Sequence, residues 1–100
     1  MIYVVARANV KPECLDQYLA IVNEIVPTVL AEDGCLRYAP CVEWSADGSR
    51  TPAVIMLETW ADKAHLDAHL ASAHMKKFFA DVETLRTPAG TLQILKPALP

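Results

Sequence analysis

The side chains best suited to chemistry in this sequence lie close together between Glu58 and His74. All three histidines, His65, His69 and His74, fall in this segment, and Trp60 lies near its start. Imidazole changes its charge more readily near neutral pH than any other side chain, so it can accept or donate a proton during a reaction. The grouping predicts that the chemistry of the protein takes place in this segment.

His69 and His74 are the candidate catalytic residues. His69 lies three residues after Leu66 and one before Leu70, which places it on the buried side of a predicted helix. His74 lies four residues before Phe78, on the apolar stripe of the next helix. The two histidines could line one cavity and take a proton from a phenolic hydroxyl. Each could instead be a core histidine that is bonded to a backbone carbonyl.

Five further side chains are predicted to contact a substrate. Trp60 ends a strand and could stack against a flat aromatic molecule. Glu58 interrupts an otherwise apolar strand, so its carboxyl either has a raised pKa or orients Arg7 or a histidine. The complete set of candidate substrate-binding residues is Tyr38, Glu58, Trp60, His65 and Phe78.

The spacing of potential ligands gives little support for a metal site. His65 and His69 are four residues apart, but Asp67 stands between them where a zinc-binding helix motif has a glutamate, and no third ligand is evident. We therefore expect no metal and place His65 at a rim or an interface. The odd number of cysteines and the absence of a CxxC spacing argue against a disulfide framework; these residues are Cys14, Cys35 and Cys41.

Composition narrows the possible partners. The net charge is -3 and no basic run exists, which argues against nucleic acid. No apolar run approaches about 20 residues and the N-terminus lacks a signal-peptide pattern, so we expect a cytoplasmic protein that does not span a membrane. Apolar residues make up 53% of 100 residues, more than one small core needs. This excess predicts a homodimer or a higher oligomer with a large apolar interface.

Hydrophobic periodicity predicts one α+β domain over residues 1–100. Strands are expected at residues 2–10, 36–44, 53–60 and 91–96, and Pro40 indicates an edge position or a bulge. A long helix is expected from Pro12 to near Asp33, and two shorter helices follow the capping residues Asp62 and Ser72. This is the ferredoxin-like βαββαβ order with an antiparallel sheet. Helices would cover one face of the sheet, and a second copy would cover the other.

Several short segments together resemble one protein family. They lie at residues 25–30, 34–35, 38–40, 54–56, 64–66, 68–70 and 74–76, and they include Pro27, His65, His69 and His74. The combined pattern is similar to the antibiotic biosynthesis monooxygenase family, and most similar to its bacterial quinol-oxidising members. The resemblance implies a dimeric α+β barrel that uses no metal, flavin or nicotinamide. It also implies that a quinol such as menadiol loses a proton in an apolar pocket and that the anion then reacts directly with dioxygen.

Departures from other branches of the family leave two alternatives open. Polyketide-oxidising members carry an Asn and a Tyr at the positions of Met56 and Leu66, so their handling of substrate does not carry over. A sugar-phosphate isomerase branch keeps histidines that match His69 and His74, so an isomerase or degradative enzyme for a small metabolite is the first alternative. Few Lys or Arg lie near the predicted pocket to hold a phosphate. The second alternative is a non-catalytic dimer that binds a hydrophobic metabolite.

Overall fold

The computed structural model describes residues 1–99, which form a four-stranded antiparallel sheet and three α-helices. The elements in chain order are β1 (Ile2–Asn9), a 3-10 turn (Pro12–Cys14), α1 (Leu15–Leu30), β2 (Cys35–Trp44), β3 (Arg50–Trp60), α2 (Lys63–Leu70), α3 (Ala73–Val82) and β4 (Thr91–Leu95). The strand order across the sheet is β2-β3-β1-β4. This confirms the predicted ferredoxin-like α+β fold, and β2 lies at an edge, as Pro40 indicated.

Local sequence explains where the helices begin and end. Pro12 starts a single 3-10 turn, and the α-helix begins three residues later than predicted. Asp62 accepts a hydrogen bond from the backbone N–H of His65 at 2.9 Å, and Ser72 accepts one from the N–H of Met75 at 3.3 Å. Both predicted N-caps are therefore confirmed. Gly34 follows α1 with a φ of 75°, a left-handed conformation that favours glycine.

The period of two along the strands separates the two faces of the sheet. On β1 the even-numbered residues face the helices, and Val4 is opposite Glu58 on β3. Tyr38 on β2 is opposite the same glutamate, so these three side chains share the covered face. The helices complete the core against this face with Val22, Val29, Leu66, Met75, Phe78 and Val82. Among the described residues, no helix is both long and apolar enough to cross a bilayer.

Candidate active site

A cavity of about 360 Å³ lies between the covered face of the sheet and the helices. This volume falls within the range of about 300–1,000 Å³ that is typical of small-molecule sites. Most of the wall is apolar, with Met56 from the sheet and Val22, Met75 and Phe78 from the helices. The polar residues on the wall are Arg7, Tyr18, Tyr38, Glu58, His69, Arg86, Thr87 and Thr91.

His69 is the only histidine on the cavity wall among the described residues. It lies in the last turn of α2 and is only 1% exposed. Its Nδ1 is 2.7 Å from the Oε2 of Glu32. A carboxylate can only accept in such a bond, so Nδ1 is the donor, and in the neutral form of the ring Nε2 would be the acceptor nitrogen. In the described part of the chain this ring makes no other hydrogen bond.

Two aromatic rings hold the His69 ring in place. The Trp60 ring centroid lies 4.7 Å away in a tilted arrangement, and Tyr38 approaches edge-on at 5.5 Å. Trp60 is completely buried behind His69 and does not reach the cavity wall, which differs from the predicted role of stacking against a flat substrate. Its contribution is to restrict the orientation of the imidazole.

Glu58 is a buried carboxyl on the cavity wall. Its Oε1 accepts a hydrogen bond from the indole Nε1–H of Trp60 at 2.9 Å. Burial raises the pKa of Glu58 to about 7, and the nearby charge of Glu32 acts in the same direction, while the bond from Trp60 lowers it. Glu58 can therefore be protonated near neutral pH and donate a hydrogen bond into the cavity.

Tyr38 is also buried at the cavity, and burial raises the pKa of its hydroxyl well above the ordinary value. The charge of Glu58 adds to this effect. The phenol therefore keeps its proton at physiological pH. It can form hydrogen bonds with a ligand, but it does not act as a base from the ionised form.

The structure does not bring His74 and His65 into this cavity. His74 lies in the first turn of α3 and its Nε2 is 3.1 Å from the Oε2 of Glu32, but His74 is not among the residues that line the cavity. Its ring instead lines a shallow outer pocket with Phe78. His65 is bonded to Asp62 at 2.7 Å on the surface, and its ring packs against the backbone at Gly34.

The sequence analysis missed two side chains at the site. Glu32 lies in the turn after α1, beyond the periodic part of the helix, so no spacing rule linked it to His69 or His74. Arg86 follows α3 and places its guanidinium 5.6 Å from the ring centroid of Phe79. The cavity therefore contains basic side chains that sequence proximity did not indicate. The second basic side chain on the cavity wall is Arg7, which is held by a hydrogen-bonded ion pair with Glu43.

Residues 1–81 match the family described as antibiotic biosynthesis monooxygenase. The chain belongs to this family. It is 39% identical to the Escherichia coli K12 protein YgiN, described as a probable quinol monooxygenase, over 88 positions that cover 78% of this chain and 81% of that protein.

Solved structures of antibiotic biosynthesis monooxygenases agree with the fold. One with that name has a TM-score of 0.85 and 28% identity, and the match covers 100% of both chains. Rv0793 from Mycobacterium tuberculosis has a TM-score of 0.82 and 27% identity, covering 99% of this chain and 96% of that one. Family membership and the similarity to YgiN together support monooxygenase activity.

Proposed function

We propose that this protein is a cofactor-independent monooxygenase that oxidises quinols or related phenolic polycycles with dioxygen. The observation that carries the proposal is the position of His69 on the cavity wall together with its hydrogen bond to Glu32. Its ring lines an apolar cavity while Nδ1 is engaged by Glu32, so Nε2 is available to accept a proton from a bound hydroxyl. The quinol-oxidising description of YgiN, at 39% identity, supports the choice of substrate class.

Comparison of the ionisable groups on the wall favours His69 as the base. The hydroxyl of Tyr38 stays protonated because burial raises its pKa. The guanidinium of Arg86 remains charged and cannot accept a proton. Glu58, with a pKa of about 7, could also accept a proton, but its Oε1 already accepts the indole N–H of Trp60, so we assign it the part of a hydrogen-bond donor when protonated. A neutral imidazole oriented by a carboxylate is the usual arrangement of a general base.

The reaction that we propose begins with transfer of a hydroxyl proton from the quinol to Nε2 of His69. The resulting anion gives electrons to dioxygen, and a bond forms between a ring carbon and oxygen to give a peroxide anion. This anion takes the proton back from His69. Loss of water from the hydroperoxide then leaves a hydroxylated quinone. One quinol and one dioxygen give one hydroxyquinone and one water, and the substrate supplies all four electrons.

The other predicted residues have distinct parts in this proposal. Phe78 and Tyr38 contact the rings of the substrate, and Glu58 donates a hydrogen bond to its second oxygen when protonated. Trp60 acts indirectly by restricting both His69 and Glu58. His74 contacts Glu32 and so helps to hold the carboxylate that orients His69. His65 has no contact with the cavity and therefore no direct part in the proposal.

We also propose that two copies pair through the uncovered face of the sheet. On β1, Tyr3 and Val5 point away from the helices, and their β3 partners include Leu57 opposite Val5. Tyr3 and Leu95, which are paired neighbours, are both substantially exposed. An apolar sheet face of this kind is commonly covered by a second layer. Sedimentation equilibrium should give the mass of a dimer; a monomer at micromolar concentration would contradict this proposal.

The decisive experiment is oxygen uptake after stopped-flow mixing with menadiol, with autoxidation subtracted. We expect wild-type protein to exceed the uncatalysed rate and His69→Ala to lower kcat by about a hundred- to ten-thousand-fold, the usual contribution of a general base. His65→Ala, the same change at a histidine outside the cavity, should retain the rate. No uptake above autoxidation, or equal losses in both variants, would refute the proposal.

The same experiment separates the alternatives. A non-catalytic binding protein would bind the quinone tightly without consuming oxygen. An enzyme for a phosphorylated metabolite would need a basic anchor, and the structure offers mainly Arg86, because Arg7 is paired with Glu43. Micromolar binding of inorganic phosphate, measured by calorimetry on a protein that consumes no oxygen with menadiol, would favour that alternative.

A further inference from the structure

Glu32, His69 and His74 form a compact set of potential metal ligands behind the cavity. The three residues come from different places: the turn after α1, the last turn of α2 and the first turn of α3. Their ligand atoms all lie within 4.8 Å of one another. The Oε2 of Glu32 is 2.7 Å from Nδ1 of His69 and 3.1 Å from Nε2 of His74.

The donor set and its dimensions suit a divalent transition-metal ion. Zinc binds imidazole nitrogen at about 2.0–2.1 Å and carboxylate oxygen at about 2.0–2.2 Å, so tetrahedral ligand atoms lie about 3.3 Å apart. Glu32 would move outward by a few tenths of an ångström from each nitrogen, and the nitrogens of His69 and His74, which lie within 4.8 Å of each other, would move together around the ion. His69 is buried and Glu32 is mostly buried, while the partly exposed His74 gives an ion access from solvent.

We propose that Glu32, His69 and His74 bind a divalent metal ion such as Zn²⁺, and that the bound ion inhibits the oxygenase. Three protein ligands leave a fourth position for water. The hydroxyl of Ser72 lies 3.2 Å from Nε2 of His74, but it donates to the carbonyl of His69 at 2.7 Å and is not counted as a ligand.

Inhibition follows from which nitrogen of His69 holds the proton. With Glu32 as its partner, Nδ1 carries the proton and Nε2 is free to accept one. When Nδ1 binds a metal ion, the neutral ring must carry its proton on Nε2, which then faces the cavity as a donor. Metal binding and proton acceptance by His69 therefore exclude each other. This second part of the inference rests on the proposed function, whereas metal binding itself does not.

Calorimetric titration of chelator-treated protein with Zn²⁺ tests the site directly. We expect one ion per chain and a dissociation constant at least tenfold weaker in Glu32→Gln and in His74→Ala. Co²⁺ should give visible absorption bands typical of a tetrahedral site in wild type, and these bands should be lost in both variants. His65→Ala is the matched control, because it removes the separate surface pair with Asp62 and should leave binding unchanged.

The outcomes separate the two parts of the inference. Absence of one-to-one binding, or equal binding by wild type, Glu32→Gln and His74→Ala, would overturn the site. If Zn²⁺ binds but oxygen uptake with menadiol is unaffected at saturation, inhibition is refuted. Inhibition is supported if Zn²⁺ slows oxygen uptake by wild type but leaves the rate of His74→Ala, whatever its basal value, unchanged. If wild type shows no oxygen uptake at all, the proposed function fails, and the titration still decides the metal site.

Discussion

Replacing Glu58 by glutamine should remove a large pH dependence from the stability of this protein. The folded-state pKa of Glu58 is about 7, against an ordinary value of 4.5. Below about pH 4.5 the carboxyl is protonated in both states, and its contribution to stability is fully present. Between about pH 4.5 and 7 the unfolded chain loses the proton while the folded protein keeps it, so unfolding becomes easier as pH rises. Above pH 7 the loss is complete.

The size of the effect follows from the difference between the two pKa values. The difference between a pKa of about 7 and one of 4.5, at about 1.4 kcal/mol per pKa unit, gives an upper bound of about 3.5 kcal/mol. Water that enters the open side of the cavity solvates the carboxylate and reduces this figure, so we expect about 1–3 kcal/mol. Glutamine has nearly the same shape and can still accept the indole N–H of Trp60, so the variant isolates the charge.

Urea unfolding followed by tryptophan fluorescence, from about pH 4 to about pH 8 at one protein concentration, measures this effect. The free energy of unfolding of Glu58→Gln, minus that of wild type, should rise by about 1–3 kcal/mol across the range. The control is Glu24→Gln, the same chemical change on the exposed face of α1, for which the difference should stay nearly constant. A flat difference for Glu58→Gln would refute the inference that burial makes its ionisation unfavourable.

Two further predictions concern the turn after α1. Gly34 and Gly48 both have positive φ, so alanine at either position should be destabilising by about 1–2 kcal/mol. Only at Gly34 would the new Cβ also overlap the His65 ring, so Gly34→Ala should lower Tm clearly further than Gly48→Ala. Equal losses of Tm would show that this contact relaxes freely. Glu32→Gln should lower kcat for menadiol by about tenfold or more with KM nearly unchanged, because an amide stabilises a protonated His69 less than a carboxylate does, and tenfold corresponds to about 1.4 kcal/mol. An unchanged kcat would show that the carboxylate does not assist His69.

The sequence predicted the elements of the fold well because each has a local cause. Alternation along β1 and the caps at Asp62 and Ser72 depend on residues that are neighbours in the chain. The bounds differ most at two places: Pro12 suits an α-helix but starts a 3-10 turn, and β3 begins at Arg50, three residues before the predicted start at residue 53.

The arrangement of the site was harder to predict because it depends on contacts between segments that are distant in the sequence. Helical spacing placed both His69 and His74 on apolar faces, but it could not show that the two histidines line different pockets. The period of two along β3 puts Trp60 and Glu58 on the same face of the strand. It could not show that Trp60, at the end of β3, lies beneath His69 instead of beside the cavity. Glu32 is 37 residues from His69, and only the packing of α1 against the sheet brings them together.

The two carboxyl groups of the site are electrostatically connected, and this gives a check on the whole arrangement. The charge of Glu32 contributes to the raised pKa of Glu58, because two nearby carboxylates disfavour ionisation of the second. Neutralising Glu32 with glutamine should therefore lower the pKa of Glu58 as well as slow the reaction. In the Glu32→Gln background, the pH-dependent stability gain from Glu58→Gln should become smaller than in wild type. If it stays the same while kcat falls, Glu32 acts on His69 alone, and the raised pKa of Glu58 is due to burial without help from its neighbour.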